Sequence, residues 1–340
     1  MISLAAGIYS SEGVANSIAA RTEMIRTRMD QIVKKELVTA DMNADPVIVE
    51  AFGQAKTASI PTMTVAGLGD YDKIKGYPMG SMGVTWESYT LAYDRGICID
   101  VDKVDEIQSG GVASAAMAAA IEAREHVIPE VDATRISQTV SKVKTYDSTH
   151  VVESETALTA ANIITEIGKG LDMIFEEWGT DSGATIYLNN NLRAILRGST
   201  EVTKVRHVDG GSRSLNLDTN DIDGNIIKFV PSARMKTAYT YYDGVTDGET
   251  SGGFAPASGA GDVNFLICAP GCAQGITIFA KSKFLSSEQQ KKDADSFMFR
   301  LYHDVLITKN RGVQGIYASV KTAASGRAST TSTKTTASKA

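Results

Sequence analysis

Between Ala66 and Thr85 the chain places Gly67, Gly69, Gly76, Gly80 and Gly83 together with Pro78. Glycine loses more backbone freedom on ordering than any other residue and proline removes a ladder donor, so neither a continuous helix nor a central strand fits this stretch. On its N-terminal side Lys56-Thr57-Ala58-Ser59-Ile60 reads as a strand closing an irregular, extended segment from Asn43 to Thr64, bracketed by Pro46 and Pro61. On its C-terminal side Ile97, Ile99 and Val101 alternate with Cys98, Asp100 and Asp102, the period of a strand with one apolar face. Two strands around a glycine-rich tip predict a long hairpin. A connection of that length is uncommon inside a compact domain unless it is mobile or reaches a partner, which is the first indication of function.

The remaining composition is that of a globular protein: 340 residues, 43% hydrophobic and 22% charged, enough for one large or two ordinary cores. No run of about 18 uncharged apolar residues occurs, and Met1 to Ser10 lacks the basic and apolar regions of a secretory signal, so a soluble protein made in a cytoplasm is expected, with no membrane partner. Three cysteines, Cys98, Cys268 and Cys272, are too few to staple a chain this long and suit a reducing compartment. Residues 321–340 carry Lys321, Arg327, Lys334 and Lys339 and no acid, which leaves the preceding residues at −10 against −6 for the chain. An acidic body argues against a protein whose main task is gripping a phosphate backbone, because that affinity comes from Lys and Arg displacing counterions.

Ser17 to Val38 sets Ile18, Ile25, Met29, Ile32 and Val33 near one face and reads as an amphipathic helix. Gly111 to Val143 is alanine-rich and, helical throughout from Val112, would span about 48 Å. Within it Pro129 either kinks the helix or starts a second one, with Glu130 and Asp132 in the first turn. Ile163, Ile167, Leu171, Ile174 and Trp178 mark a third helix, with Thr159 as N-cap and Gly179 as its stop. Strands are expected at Thr185–Leu188, Ile226–Val230, Asn264–Cys268, Gly275–Ala280, Ser296–Thr308 and Gly315–Val320, with a short helix turning Leu192, Ile195 and Leu196 inward and a Gly/Ser-rich insert from Asp243 to Gly261. Helices and strands are partly segregated, so the fold class is α+β. The Ser/Thr/Ala/Lys-rich stretch 322–340 is expected to be disordered.

A search for chemistry finds none of the G-x-G-x-x-G, Walker A, H-E-x-x-H or G-x-S-x-G patterns. His126, His150, His207 and His303 are scattered, and Cys268-Ala-Pro-Gly-Cys272 lacks the two further ligands a metal needs. The run Asp218 to Gly224 fails as a calcium loop, with Ile222 at the fifth position and Phe229 where a bidentate Glu belongs. Trp86, Tyr89 and Tyr93 lack the interleaved basic residues of a base-stacking surface, which leaves burial or a subunit contact. Lys73 and Lys75, beside Asp70 and Asp72, are either solvated charges or contacts with a neighbouring subunit. No catalytic residue, cofactor or metal site is expected.

From Phe52 to Arg95 the sequence resembles a known family. Phe52-Gly-Gln-Ala-Lys-Thr-Ala-Ser-Ile-Pro61, Gly69-Asp-Tyr71, Trp86-Glu-Ser-Tyr-Thr-Leu-Ala-Tyr-Asp-Arg95 and Ile99-Asp-Val-Asp102 are similar to the major capsid proteins of tailed bacteriophages, built on the Hong Kong phage capsid fold. So are Val127-Ile-Pro-Glu-Val-Asp-Ala-Thr-Arg135, Asp295-Ser-Phe-Met-Phe-Arg-Leu-Tyr-His-Asp304 and Gly312-Val-Gln-Gly-Ile-Tyr317, in order over about Ser17 to Lys321.

The resemblance implies an N-terminal arm (1–52), an extended E-loop (53–102), a P-domain with a long spine helix (103–184), an A-domain (185–261), strands returning to the P-domain (262–320) and a basic tail (321–340). It implies a structural protein of the virion capsid, assembled in the host cytoplasm as hexamers and pentamers that form an icosahedral shell around double-stranded DNA. Its partners would be copies of itself, a scaffolding protein, a portal, a decoration protein and, without specificity, the packaged DNA. Lys73, Lys75, Trp86, Tyr89 and Arg95 are then the candidate inter-subunit contacts. Two departures stand out: a tip unusually rich in glycine, and no long N-terminal extension of the kind some relatives use as a built-in scaffold, so scaffolding would come from a separate protein or a removed segment. An encapsulin-like protein compartment of the same fold and a soluble enzyme with an unrecognised site are the alternatives.

Overall fold

The computed structural model describes residues 23–33, 36–53, 55–108, 115–154, 157–199, 221–222, 224–280, 282–309 and 311–321. The first six residues of the Ser17–Val38 helical pattern, Ser17–Thr22, and the tail beyond Lys321 therefore fall outside the described residues, as does His207. Helix α1 covers 23–33 and α2 Pro46–Phe52, followed by β1 (Thr57–Val65), β2 (Met82–Thr90), β3 (Tyr93–Asp102), α3 (Lys103–Gln108), α4 (Ala115–Glu122), α5 (Ile128–Tyr146) and β4 (Val151–Ser154). Then come α6 (Ile163–Trp178), β5 (Thr185–Asn189), α7 (Arg193–Gly198), β6 (Asp221–Ile222), β7 (Asn225–Val230), β8 (Tyr239–Tyr241), β9 (Phe254–Pro256), β10 (Asp262–Cys268), β11 (Ala273–Phe279), β12 (Lys283–Leu285), β13 (Ala294–Ile307), α8 (Arg311–Gln314) and β14 (Ile316–Lys321).

Three local outcomes differ from the sequence reading. The stretch expected to be extended holds α2, because the Asp45 carboxylate accepts from Val47 N at 2.9 Å, Pro46 occupies the first helical position and Gly53, at φ +57°, stops the helix. Strand β1 pairs with β2, from Thr57 opposite Thr90 to Val65 opposite Met82, while β3 pairs with β13 instead of returning to β1. At Pro129 the second of the two alternatives is met, since α5 begins at Ile128 with Pro129 as its second residue, but the joint before it is not an ordinary helix end. A π-helical turn over Ala123–Val127, with Ile128 N donating to Ala123 O, joins α4 to α5, and this wider turn accommodates a ring that would crowd the carbonyl of an ordinary α-turn.

The chain forms two compact units, and α5 begins in one and ends in the other. The first comprises the chain up to Arg135 plus Pro270–Gly312. Its sheet is built on β13, which pairs along one edge with β11 and β12 and along the other with β3, all antiparallel. Alternation along β13 sends Phe297, Phe299 and Leu301 into a core with Ile25, Met29 and Val33 of α1, Leu37 after it, Ala119 of α4, Ala123 at the start of the turn that follows, and Phe279 and Phe284. It sends Tyr302 and Leu306 to the opposite face, where they meet Phe52, Ala58, Leu91, Ile276 and Ile278. Both faces are thus covered, each large side chain contributing roughly 1.5–3 kcal/mol by leaving water.

Polar bonds fix the segment around Thr39 to α5. Asp132 accepts from Thr39 N at 3.0 Å and Thr39 Oγ1 at 2.7 Å. Arg135, 1% exposed, donates to Thr39 O, Gly275 O and Thr277 Oγ1 at 3.0–3.2 Å. Gly275 is required there, since a Cβ would overlap the guanidinium.

The second unit comprises Ile136–Ala269 and the chain from Val313. Its six-stranded sheet runs β4-β14-β10-β5-β7-β6, parallel at β4/β14 and β5/β7 and otherwise antiparallel. Helix α6 buries Ile163, Ile167, Leu171 and Ile174, and a Cβ at Gly170 would lie 2.6 Å from Tyr317 and 2.8 Å from Ile267, so glycine is what lets this helix approach the sheet. Gly179 closes it at φ +77°, as its position predicts, whereas Asn162 stands at the N-cap and accepts from Thr159 N with its side chain. The Gly/Ser-rich insert is not all loop: β9 pairs with β8, and Phe254 packs on Tyr239 and Tyr241.

Candidate assembly surface

Beyond its first residues the β1–β2 ribbon is bare. Ala58 and Leu91 are buried at its root, Ile60 is half-buried, and from Pro61 to Trp86 nearly every residue is exposed. A two-stranded ribbon has too little core to hold itself in water, so such a surface is complete only when something covers it. The tip is nonetheless locally ordered. Asp72 and Gly76 exchange backbone hydrogen bonds, N–H to O, at 3.2 and 2.7 Å, and the Asp72 carboxylate accepts from Ile74 N and Lys75 N at 2.6 and 3.0 Å. Those amides hold its carboxyl below the usual range. Gly76 takes φ +82°, and the Tyr71 and Tyr77 rings meet at 5.0 Å between centroids.

On this frame the turn exposes Ile74 at 95%, flanked by Lys73 and Lys75, and the non-strand segments on either side of it expose Leu68 at 108% and Met79 at 103%. Trp86, opposite Pro61, is 66% exposed midway along the ribbon. Lys73, Lys75 and Trp86 therefore all lie on the bare part, the two lysines together at the turn and the indole well below them. Tyr89 sits lower still, half-buried at the root, donating its hydroxyl to Glu87 Oε2 at 2.6 Å. That bond, with Lys309 Nζ 3.6 Å away, holds the Glu87 carboxyl below its ordinary range.

Arg95 is placed differently. It is taken up inside its own chain, its Nε donating to Glu130 Oε1 at 2.7 Å and its Nη2 to Oε2 at 3.3 Å. His303 Nε2 lies 3.6 Å from the same carboxylate, and its ring stacks on Tyr93 at 5.3 Å. Burial would raise the Glu130 carboxyl, but His303 and Arg95 outweigh it and hold it low. The sequence reading missed Leu68, Ile74 and Met79. Their signal is large apolar residues interspersed among glycines, in a stretch that forms no helix or strand of its own to bury them.

Among the described residues no group of three or more His, Cys, Asp or Glu is placed to hold a metal ion, and no helix is long and apolar enough to cross a membrane. Cys98 is free and exposed; Cys268 and Cys272 are free and buried.

No family model and no curated protein sequence matches the chain. Solved structures do. A structure from Mycobacterium phage Che8 is 12% identical, with a TM-score of 0.50 over 83% of this chain and 90% of that one. The mature capsid of bacteriophage PhiM1 is 12% identical, with a TM-score of 0.51 over 79% and 83%. The capsid of the Cyanophage P-SCSP1u is 12% identical, with a TM-score of 0.50 over 79% and 84%. At such identity the likeness is one of architecture, and the chain has the major capsid protein fold that its sequence resembles.

Proposed function

We propose that this protein is the shell-forming subunit of a bacteriophage capsid, whose copies associate as hexamers and pentamers and close an icosahedral shell around packaged double-stranded DNA. The observation that carries the proposal is a ribbon ordered at its tip yet uncovered by its own chain, in a protein with the capsid fold. In this reading residues 53–102 are the E-loop, the helix through Tyr146 is the spine of the P-domain and residues 185–261 are the A-domain. Lys73, Lys75 and Trp86 touch neighbouring subunits, and assembly completes folding.

Many weak contacts per subunit make closure cooperative, because each added contact is nearly intramolecular once the first has formed. An acidic body lets a duplex enter without sticking to the wall. A scaffolding protein, a portal and a decoration protein are the further partners this role calls for, in the virion and during its assembly in the host cytoplasm. Size-exclusion chromatography with negative-stain microscopy tests the reading. Megadalton polyhedra or discrete capsomers are expected, and polyhedra purified from infected or expressing cells with protein cargo and no DNA would replace it with a compartment of the same fold.

A further inference from the structure

Strand β3 is ten residues long and, among the described residues, has a partner on one side only. Lys103 N donates to Asp293 O at 3.1 Å, one step beyond the β3–β13 ladder and in register with it. Antiparallel pairing alternates strictly, so the odd-numbered residues of β3 turn their N–H and C=O groups to β13 and the even-numbered ones turn theirs away. The other edge of β13 agrees, since Ala280 N donates to Arg300 O and the even residues there face β11. Gly96, Cys98 and Asp100 consequently present their backbone groups on an open edge along which, among the described residues, no strand lies, and all three residues are exposed.

The same parity argument applied to the ribbon separates its two edges. Ala66 N donates to Ser81 O and Leu91 N to Lys56 O, both in register, so the odd residues of β1 and the even residues of β2 face outward. Pro61 lies on the outward parity of β1, where its missing N–H interrupts that edge in the middle. The outward edge of β2, at Met82, Val84, Trp86, Ser88 and Thr90, has no interruption. Only Leu91 and Ala92 separate β2 from β3, yet within one chain the two do not pair.

We infer that the open edge of β3 receives the outer edge of β2 from a second copy of this chain, extending the β13 sheet across the subunit boundary by backbone hydrogen bonds. Two different uninterrupted edges on the same chain, each carrying N–H donors and C=O acceptors, make a heterologous contact, which repeats around a ring. It would cover Trp86 and Val84, which the chain leaves bare. The inference rests on the proposed shell function and names which surface the ribbon engages.

Cysteine crosslinking tests it in the full chain. Opposed residues of an antiparallel pair lie about 4.5–5.5 Å apart between Cα atoms, within the span a disulfide bridges. Met82→Cys, Val84→Cys, Trp86→Cys, Ser88→Cys and Thr90→Cys are each combined with native Cys98, and assembled particles are oxidised and run on non-reducing gels. The expected result is a covalent ladder from one of the five, joined at Cys98 by peptide mass and lost with Cys98→Ser. Particles that assemble normally while none crosslinks to Cys98 overturn this pairing and leave the shell function standing. A ladder that persists with Cys98→Ser overturns it in favour of ribbon-to-ribbon contact. A wild-type chain that stays monomeric at every concentration overturns both.

Proline provides the second measurement. Cys98→Pro and Val84→Pro remove outward-facing donors and should lower assembly yield by about tenfold or more, while Ser59→Pro, on the edge already broken by Pro61, leaves it unchanged. Full yield from a folded Cys98→Pro subunit overturns the inference.

Discussion

Strands β3 and β2 are nearly equal in length, adjacent in sequence and, among the described residues, each hydrogen-bonded to one antiparallel partner, yet one is part of a core and the other is not. Strand β3 lies on β13, whose two faces bury Phe297, Phe299 and Leu301 on one side and Tyr302 and Leu306 on the other. Strand β2 pairs, among the described residues, only with β1, and both faces of the ribbon stay exposed past its root. Hydrogen bonding is similar in the two ladders; burial is not. Stability of the subunit therefore resides in the first, and the second is free to contribute to association.

The comparison breaks most sharply at the tip. Replacing residues 67–80 by Asn-Gly between Ala66 and Ser81, whose backbones are already hydrogen-bonded, should leave a soluble subunit with an unchanged melting temperature that forms no shells in the microscope. Normal particles from this variant would remove the ribbon from the assembly account. In the sheet the effect should fall on the subunit instead. Phe297→Ala should cost about 3–5 kcal/mol in denaturant unfolding of the unassembled chain, whereas Trp86→Ala should change that quantity by less than about 0.5 kcal/mol and lower assembly yield. Equal unfolding costs for the two would erase the distinction.

Smaller effects sharpen it. Gly275→Ala forces a methyl into the Arg135 guanidinium and should destabilise the subunit by about 1–3 kcal/mol, read from the urea midpoint. The Glu130 carboxyl is held low in the folded chain, so its contribution is present above the unfolded value of about 4.3 and is lost as pH falls through the lower folded value. Glu130→Gln should flatten that acid limb in thermal melts, and Glu87→Gln, whose carboxyl is also held low but lies on the exposed ribbon, should flatten it less. The smallest effect belongs to Lys73→Glu with Lys75→Glu: a modest drop in assembly yield that grows as salt is lowered, since exposed ion pairs contribute at most about 1 kcal/mol each. Identical yields across salt concentrations would return both lysines to solvated charges.

Much of this architecture is legible from periodicity. The α6 pattern and the strands around Phe265, Ile276, Phe299 and Tyr317 lie where apolar residues recur with the right spacing, because burial on one face imposes that spacing directly. Pairing partners are not legible in this way. Ile97, Ile99 and Val101 announce a strand, but only tertiary packing decides that it joins β13, about two hundred residues away in sequence. The Asp45-Pro46 start of α2 was readable as a cap followed by a first-turn proline, and a seven-residue helix gives too few apolar repeats to outweigh Pro46 and Pro61 as signs of extended chain. At the candidate surface Lys73, Lys75 and Trp86 were found from the glycine-rich tip and from the resemblance. Arg95, read from the resemblance alone, engages Glu130 across a fold the sequence does not display.

The proline at position 61 has a consequence for the chain before it meets its proper neighbours. A bare ribbon at high concentration invites stacking of like upon like without limit, the route to fibres. Because one side of this ribbon is broken at mid-length, two stray ribbons that join by their intact sides show only broken ones outward, and the accident ends as a pair.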